Sequence, residues 1–331
     1  MSSNRLNVSI GLPVFNGEKY LEQTINSILA QTYQDFELII SDNASTDHTP
    51  EICREYASKD CRIRYYRNQK NLGASKNYNR VFELSSGKYF KWAAYDDLLS
   101  PEYLNKCVEI LDNDPSVVLC HSKTAIIDEL GRLVGDCDHR TLSKIHSWKL
   151  HERFGDLISI RNSCWIIFGV VRADTLRKTP LHGSYVGADR NLLAEIGLMG
   201  RIYEIPEHLF FRRDHPEAYT RMFCEKKYAI DRDNYRAQSA WWSNEYLSNY
   251  PNWRDCFEFF RSVRRVRPSF FERLLCYGQI FSWFTKEGWR YMESDIENLL
   301  LRRSSLARKL IPTVKSNLGR ALIPLVQKMR Q

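Results

Sequence analysis

Phe36-Glu-Leu-Ile-Ile-Ser-Asp-Asn-Ala-Ser-Thr-Asp47 is a short run of β-forming residues that ends in a polar loop. An earlier segment, Val8-Ser-Ile-Gly-Leu-Pro-Val-Phe-Asn-Gly-Glu18, has the same design. Between the two, apolar residues recur at the spacing of one helix face, at Tyr20, Leu21, Ile25, Ile28 and Leu29. A strand, a helix and a second strand in this order predict a parallel β-sheet.

The alternation continues along the chain. The pattern predicts further strands at residues 63–66 and 88–92, and helices at 49–57, 78–84 and about 103–111. We therefore expect an α/β protein with a doubly wound, mostly parallel sheet flanked by helices. Ligands of such sheets bind beyond the carboxyl ends of the strands, where this chain repeatedly places polar and acidic residues. Each loop alone has a structural explanation, because Pro, Asn, Gly and Asp also form turns and helix caps.

Five motifs in order resemble those of family 2 glycosyltransferases with the GT-A fold, over about residues 7–220. They are the two segments quoted above, Asn71-Leu-Gly-Ala-Ser-Lys-Asn77, Asp96-Asp97 followed by Pro101, and Gly187-Ala-Asp189. The resemblance implies an inverting enzyme that moves a sugar from a nucleotide-diphospho-sugar, most simply a UDP-sugar, to a saccharide or lipid-linked glycan. It also implies the donor-binding residues, which are Pro13, Val14, Phe15, Glu18, Asp42, Gly73, Lys76, Asn77 and Asp96.

The resemblance further implies a divalent metal ion, Mg²⁺ or Mn²⁺, held near Asp96, Asp97 and His215. Carboxylates suit such hard cations, which in turn stabilise a diphosphate leaving group. The usual Asp-x-Asp-Asp of the family is replaced by Ala94-Tyr-Asp-Asp97, so we expect weaker or differently shaped ribose and metal contacts. In the alternative interpretation, the acidic pair only leads into the following helix.

Asp189 matches the position of the family's general base, which removes a proton from the acceptor hydroxyl. Ala188 stands where a second acid is common, so Asp189 would act alone. Because Asp189 opens an amphipathic segment, it could instead only complement the charge of a helix N-terminus. Trp165 lies in the region where these enzymes place acceptor-side residues and is a speculative acceptor contact.

The net charge of +8 is unevenly distributed. Residues 261–331 carry +10, and residues 1–260 carry −2. We therefore expect a catalytic domain at 1–225 and a helical, basic and amphipathic region at 226–331. Residues 298–331 contain eight basic residues and no acid, which favours contact with an anionic membrane surface. The alternative is a helix whose apolar stripe packs on the catalytic domain.

Other features limit the remaining classes of function. The nine cysteines include no C-x-x-C pair, and we interpret them as reduced thiols. The sequence shows no signal peptide, transmembrane segment or nucleic-acid-binding motif, so we expect a cytoplasmic protein held at the inner face of the membrane, with no nucleic acid partner. Two rivals remain: a nucleotide-sugar-binding protein with impaired catalysis, and a dinucleotide-dependent oxidoreductase, which would lack the expected G-x-G-x-x-G turn.

Overall fold

The computed structural model describes residues 6–136, 142–160, 164–223, 240–242 and 251–288. Over these ranges the chain forms one sheet of nine strands. The strands are β1 Val8–Val14, β2 Phe36–Asp42, β3 Ile63–Arg67, β4 Tyr89–Trp92, β5 Leu98–Leu99, β6 Val117–Ile127, β7 Leu133–Asp136, β8 Val170–Arg172 and β9 Arg201–Arg213.

Ten α-helices whose bounds lie inside these ranges accompany the strands, and residues 240–242 are helical as well. The ten are α1 Leu21–Leu29, α2 Thr49–Lys59, α3 Ala74–Glu83, α4 Tyr103–Asn113, α5 Leu150–Ile158, α6 Ala173–Leu176, α7 Ala188–Met199, α8 Tyr219–Phe223, α9 Pro251–Val266 and α10 Phe270–Trp283. A 3₁₀ turn covers Trp165–Phe168, and a π-helical turn, Phe284–Gly288, follows α10. None of the helices described is long and apolar enough to span a membrane.

The strand order is β3-β2-β1-β4-β8-β6-β9-β5, with β7 added to β6. The first four strands are parallel, which confirms the predicted strand and helix alternation. Beyond β4 the sheet is mixed, because β8 pairs antiparallel with both β4 and β6 while β9 runs parallel to β6. Val14 pairs with Asp42, and Asp42 with Arg67, so the ends of β1, β2 and β3 meet at one edge.

Both faces of the sheet are covered by helices, as predicted for this class of fold. Leu38 and Ile40 of β2 pack into a cluster shared with α1, α2 and α4. Ile39 points the other way, into a cluster shared with α3, α5 and α7. Helix α3 approaches β1 closely, since a Cβ at Gly11 would lie 2.6 Å from Val81. A larger residue at position 11 would push this helix away from the sheet.

Helices α9 and α10 pack directly on the layer that contains α5 and α7. Their buried residues Phe259, Val263, Cys276, Ile280 and Trp283 belong to the same hydrophobic cluster as that layer. A polar contact reinforces the packing, because Glu195 of α7 accepts hydrogen bonds from Ser262 Oγ at 2.8 Å and Arg265 Nε at 2.9 Å. The segment 298–331, for which we expect membrane contact, lies outside the described residues.

Candidate functional site

The loops after β1 and β2 are tied together by hydrogen bonds. Asn16 N donates to Ser45 Oγ at 2.9 Å, and Gly17 N donates to Thr49 Oγ1 at 2.8 Å. Asn16 adopts a positive φ of 51°, a conformation that asparagine tolerates better than most residues. The two loops therefore form one preorganised rim at the carboxyl edge of the sheet.

The predicted donor-binding residues of the first loop differ in their access to solvent. Pro13 and Val14 are buried at the end of β1, whereas Phe15 exposes 43% of its surface at the rim. Glu18 is exposed, and its carboxylate accepts a hydrogen bond from His48 N at 2.8 Å. Phe15 is thus the residue of this loop that offers an open apolar surface to a ligand.

Asp42 is completely buried at the end of β2. One carboxylate oxygen accepts from Ser45 N at 2.8 Å, and the other accepts from Tyr65 Oη at 2.9 Å and lies 3.3 Å from Arg67 Nε. These bonds bend the chain immediately after the strand. The structure therefore gives Asp42 a role in shaping the loop, because its oxygens are already engaged within the protein.

The segment before α3 supplies the next part of the edge. Gly73 precedes the helix with φ at +82°, a conformation that favours glycine. Lys76 is exposed on the first turn. Asn77 is buried, and its amide accepts from Ser41 Oγ at 2.7 Å and donates to Ser41 O at 2.8 Å. Asn77 therefore fastens α3 to β2, and Lys76 is the cationic side chain that this turn presents to solvent.

Asp96 and His215 meet at the centre of the edge, although 119 residues separate them in sequence. His215 Nε2 lies 2.9 Å from Asp96 Oδ2, and the imidazole is 1% exposed. The ring of Tyr20 packs against the imidazole at a centroid distance of 4.8 Å. The Asp96 side chain keeps 15% of its surface exposed and so can reach a ligand.

Asp97, by contrast, points into the protein. Its Oδ1 accepts a hydrogen bond from Arg213 N at 2.9 Å, and the residue is 7% exposed. Burial and the nearby charge of Asp96 raise the pKa of Asp97 above its ordinary value. Of the two acids, Asp96 is therefore the better placed to contact a metal ion or a diphosphate.

Arg213 holds this arrangement together, a role that sequence reasoning did not assign. The guanidinium is 1% exposed and lies 4.7 Å from the ring centroid of Tyr20. It donates to Asp96 O at 2.9 Å, to Glu129 O at 3.0 Å and to Gln23 Oε1 at 2.8 Å. Arg213 ends β9 two residues before His215, and this proximity to a residue marked by the resemblance is the sequence signal that could have indicated it.

The donor set fits a magnesium or manganese ion only in part. No group of three or more His, Cys, Asp or Glu side chains within the described ranges is arranged to hold a metal. Asp96 and His215 offer one carboxylate and one imidazole. Magnesium commonly binds through one or two carboxylates together with substrate phosphates, so a small protein donor set is compatible with an ion that arrives with a diphosphate.

Asp189 lies in the first turn of α7, where Gly187 precedes the helix in the left-handed region with φ at +87°. Asp189 Oδ1 accepts from Arg190 N at 2.8 Å. The same turn is tied to α9, because buried Asp255 pairs with the guanidinium of Arg190 and accepts from Asn191 Nδ2 at 3.2 Å. Asp255 was missed from the sequence, since no local motif marks it.

The phenol of Tyr78 connects the two acidic parts of the site. Burial raises the pKa of Tyr78, and the negative charges of Asp96, Asp97 and Asp189 raise it further. The acids after β4 and the acid at the start of α7 thus act electrostatically on the same phenol.

A group of further aromatic rings lies next to Tyr78. His182 packs 4.9 Å from Trp92 and 6.0 Å from Trp242, and the Trp242 indole N–H donates to Tyr219 Oη at 3.0 Å. Trp165, the speculative acceptor contact, is half-buried against the core, with the Arg212 guanidinium 4.6 Å from its ring centroid.

The chain is similar in sequence to known glycosyltransferases. Residues 9–164 match the model of the family described as glycosyl transferase family 2. The chain is 35% identical over 129 residues to an uncharacterized glycosyltransferase of Methanocaldococcus jannaschii, a match that covers 38% of this chain and 44% of the archaeal protein. It is 30% identical over 169 residues to chondroitin synthase of Escherichia coli, covering 46% of this chain and 24% of that enzyme. The chain thus spans less than half the length of either relative.

The fold is also found among solved structures. The crystal structure of S. aureus TarS residues 1–349 in complex with UDP-GlcNAc superposes with a TM-score of 0.59 at 14% identity, covering 92% of this chain and 84% of that one. At this identity the likeness concerns the fold, and it identifies the mixed sheet with its flanking helices as a GT-A fold.

Proposed function

We propose that this chain, whose residues 9–164 are a family 2 glycosyltransferase domain, transfers a sugar from a nucleotide-diphospho-sugar to a saccharide or a lipid-linked glycan. The observation that carries the proposal is the contact of His215 Nε2 with Asp96 Oδ2, 2.9 Å apart at the carboxyl edge of the sheet, where the Asp96 side chain stays partly exposed. Such a transfer needs a metal-diphosphate contact and a general base, and we assign these two roles to Asp96 and Asp189.

The nucleotide would lie over the rim formed by the loops after β1 and β2. In this proposal Phe15 offers the surface beneath the base, buried Pro13 and Val14 form the loop that carries it, and Glu18 and Asp42 shape the loop or contact the base. Gly73 and Asn77 allow the backbone to approach the nucleoside, and exposed Lys76 supplies positive charge near phosphate. A uridine nucleotide is the first donor to test.

Asp96, with His215 beside it and Asp97 behind it, would hold a divalent metal ion, Mg²⁺ or Mn²⁺. When bound, such an ion supplies charge stabilisation to the departing diphosphate. Arg213 keeps Asp96 in place through its backbone oxygen, 2.9 Å from the guanidinium Nε. The preorganisation of this corner therefore comes from the protein and not from the ligand.

Asp189 would act as the general base of a single displacement. The acceptor oxygen forms a bond to C1 of the sugar as the C1–O bond to the diphosphate breaks, and the hydroxyl proton passes to Asp189. Attack from the face opposite the leaving group inverts the configuration at C1. Trp165, which is half-buried near this end of the site, remains a candidate acceptor contact.

The replacement of two family acids by alanine favours one alternative, a donor-binding protein with impaired catalysis. Ala188 is 1% exposed, so an acid at this position would bury a charge. Alanine thus suits the local packing, and Asp189 keeps its place beside it. The family match favours either version of a nucleotide-sugar protein over the dinucleotide-dependent oxidoreductase.

We also propose that the protein works at the inner face of the cell membrane, with the basic segment 298–331 as one anchor. This location would suit a lipid-linked acceptor.

A panel of nucleotide sugars, each supplied with Mn²⁺ and simple saccharide acceptors, tests the proposed function. Mass detection of a released nucleoside diphosphate identifies turnover, and calorimetry identifies binding. Release from at least one donor supports the transferase, and binding without release supports the impaired protein. If no donor is either bound or turned over, the proposal is wrong.

A further inference from the structure

Helix α10 presents an apolar face to solvent. Its inward residues, Cys276, Ile280 and Trp283, are buried against the catalytic layer. Its outward residues are also apolar, with exposures of 71% for Phe270, 73% for Phe271, 51% for Leu274, 36% for Leu275 and 49% for Phe281. A surface helix normally has a polar outer face, so apolar residues on both sides indicate that this face contacts something other than water.

Helix α9 extends the same surface. Phe257 and Phe260 are 56% and 38% exposed, and the ring of Phe260 lies 5.4 Å from the ring of Tyr277 on α10. We call the exposed side chains Phe257, Phe260, Phe270, Phe271, Leu274, Leu275 and Phe281 the hairpin face. Exposed arginines stand next to these residues along the two helices and their connection, namely Arg261, Arg264, Arg267 and Arg273, and we call them the rim of the hairpin face.

The acidic residues of this hairpin are all engaged within the protein. Buried Asp255 pairs with Arg190, Glu258 pairs with Arg261 at 2.6 Å, and Glu272 lies 3.0 Å from His151 Nδ1. Residues 251–283 contain six Lys and Arg against three Asp and Glu. The rim of the hairpin face is therefore positively charged.

We propose that the hairpin face lies in the interface of an anionic lipid bilayer. Apolar side chains on such a helix enter the boundary between headgroups and acyl chains, and the surrounding arginines bind lipid phosphates. Each cationic residue near an anionic membrane surface adds roughly 1 kcal/mol of attraction.

A second copy of this chain is a less suitable occupant. Two hairpin faces in contact would bring their arginine rims together, and like charges across an interface are unfavourable. Lipid phosphates, in contrast, neutralise the rim. The charge around the face therefore favours the bilayer.

This surface is distinct from the basic segment 298–331, and it is connected to the catalytic edge. Asp255, near the start of α9, holds Arg190 and Asn191 in the first turns of α7, the helix that carries Asp189. Membrane contact through the hairpin would thus bring the acceptor side of the site close to lipid-linked substrates. The binding itself does not depend on the proposed transferase activity.

Vesicle co-sedimentation of the full chain tests the proposal. Vesicles of phosphatidylcholine alone are compared with vesicles that also contain phosphatidylglycerol. The variant Phe271→Glu/Leu274→Glu changes the face, and Arg264→Glu/Arg267→Glu changes the rim. The matched control is Leu130→Glu/Leu133→Glu, because Leu130 on the β6–β7 turn is 75% exposed and Leu133 at the start of β7 is 69% exposed, both far from the hairpin in sequence.

We expect the unmodified chain to bind the anionic vesicles, with binding weakened by salt. Each hairpin variant should reduce the affinity by about tenfold or more, whereas the control variant keeps it. Thermal melting checks that the variants are folded, as their exposed positions predict. Sedimentation velocity gives the oligomeric state of each protein.

Three results would overturn the proposal. The first is unchanged vesicle binding by both folded hairpin variants, which would assign any membrane contact to another segment such as 298–331. The second is equal binding to neutral and anionic vesicles. The third is a dimer that the Phe271→Glu/Leu274→Glu change converts to a monomer without any loss of vesicle binding, which would identify a second copy as the occupant.

Discussion

His215 Nε2 lies 2.9 Å from Asp96 Oδ2 at the carboxyl edge of the sheet. The contact joins the loop after β4 to the loop between β9 and α8. Arg213 donates to the backbone oxygen of Asp96, the ring of Tyr20 packs against His215, and the Arg213 guanidinium lies over that same ring. The proposed diphosphate site is therefore centred on this pair of side chains.

Replacing His215 with asparagine should weaken metal binding in the presence of a nucleoside diphosphate by about 10- to 100-fold, as loss of a partner to a metal-binding carboxylate commonly does. Calorimetric titration of Mn²⁺ with UDP present measures the effect. His48→Asn is the control, because His48 is exposed at the same edge and its imidazole lies outside the pair. Equal weakening by both changes, or by neither, would contradict the assignment.

Asp255→Asn should destabilise the protein and lower the rate of transfer. The change removes a buried negative charge that pairs with Arg190, and breaking a buried pair costs about 3–5 kcal/mol when one partner is lost, less when an amide keeps some of the hydrogen bonds. Chemical denaturation measures the change in the free energy of unfolding.

The control for this prediction is Asp174→Asn. Asp174 pairs with Arg177, but its side chain is 80% exposed, so the loss should be about 0–1 kcal/mol. If the two substitutions lower the free energy of unfolding equally, the contacts of Asp255 with α7 do not stabilise the protein as stated.

Gly187→Ala should also disturb the start of α7. The backbone at Gly187 has φ at +87°, and an added Cβ would lie 2.9 Å from a carboxylate oxygen of Asp255. We expect a loss of about 1–2 kcal/mol in the free energy of unfolding from the strained φ alone, together with reduced activity.

Gly135→Ala provides the comparison for position 187. It lies in β7, and no atom stands within 4 Å of its added Cβ. Its effect on thermal melting should be small or slightly stabilising. Similar losses at both glycines would show that neither φ nor proximity to Asp255 matters.

The parallel half of the fold could be predicted from the sequence because each of its strands is short, apolar and followed by a polar loop. The β-forming run that begins at Phe36 was expected as a strand, and it forms β2, Phe36–Asp42. The antiparallel additions could not be predicted, since β5 and β8 have only two and three residues, too few for a pattern. Their places depend on pairing with distant strands.

The candidate site was predictable to a similar degree. Asp96, Asp189 and His215 were each marked by the resemblance, and the structure brings Asp96 and His215 into contact. Asp255 stands in no motif. Its importance follows from a contact across 65 residues with Arg190, which no local spacing reveals. Asp42 and Asn77 were assigned to the nucleotide from their motifs, but their buried hydrogen bonds with the protein could only be seen in three dimensions.

Lys91 provides a prediction about pH. It is fully buried in β4, where burial lowers its pKa to about 7, although Asp97 and Cys107 act in the opposite direction. Its ammonium donates to Phe168 O and lies 4.7 Å from the ring centroid of Tyr103. In the unfolded chain the pKa of Lys91 returns to about 10.5. Between pH 7 and pH 10.5 the amine is therefore neutral in the folded protein and protonated in the unfolded chain, so unfolding takes up a proton.

The contribution of Lys91 to stability should therefore rise with pH from about 7 toward 10, by at most about 1.4 kcal/mol per pH unit. Lys91→Met removes this titration, and Phe168 O keeps its hydrogen bond from Tyr103 Oη at 3.2 Å. In thermal melts, the melting temperature of the unmodified chain should rise relative to that of the variant as the pH increases. A constant difference across this window would show that Lys91 does not titrate as stated.

The most direct test of the proposed transfer is the comparison of Asp189→Asn with the unmodified chain, using a donor that the panel identifies. The rate of nucleoside diphosphate release is measured with saturating acceptor, and donor affinity is measured by calorimetry. A general base contributes about 10²–10⁴-fold to a rate, so we predict a loss of that size with donor affinity retained. An unchanged rate in the Asp189→Asn protein would contradict the account.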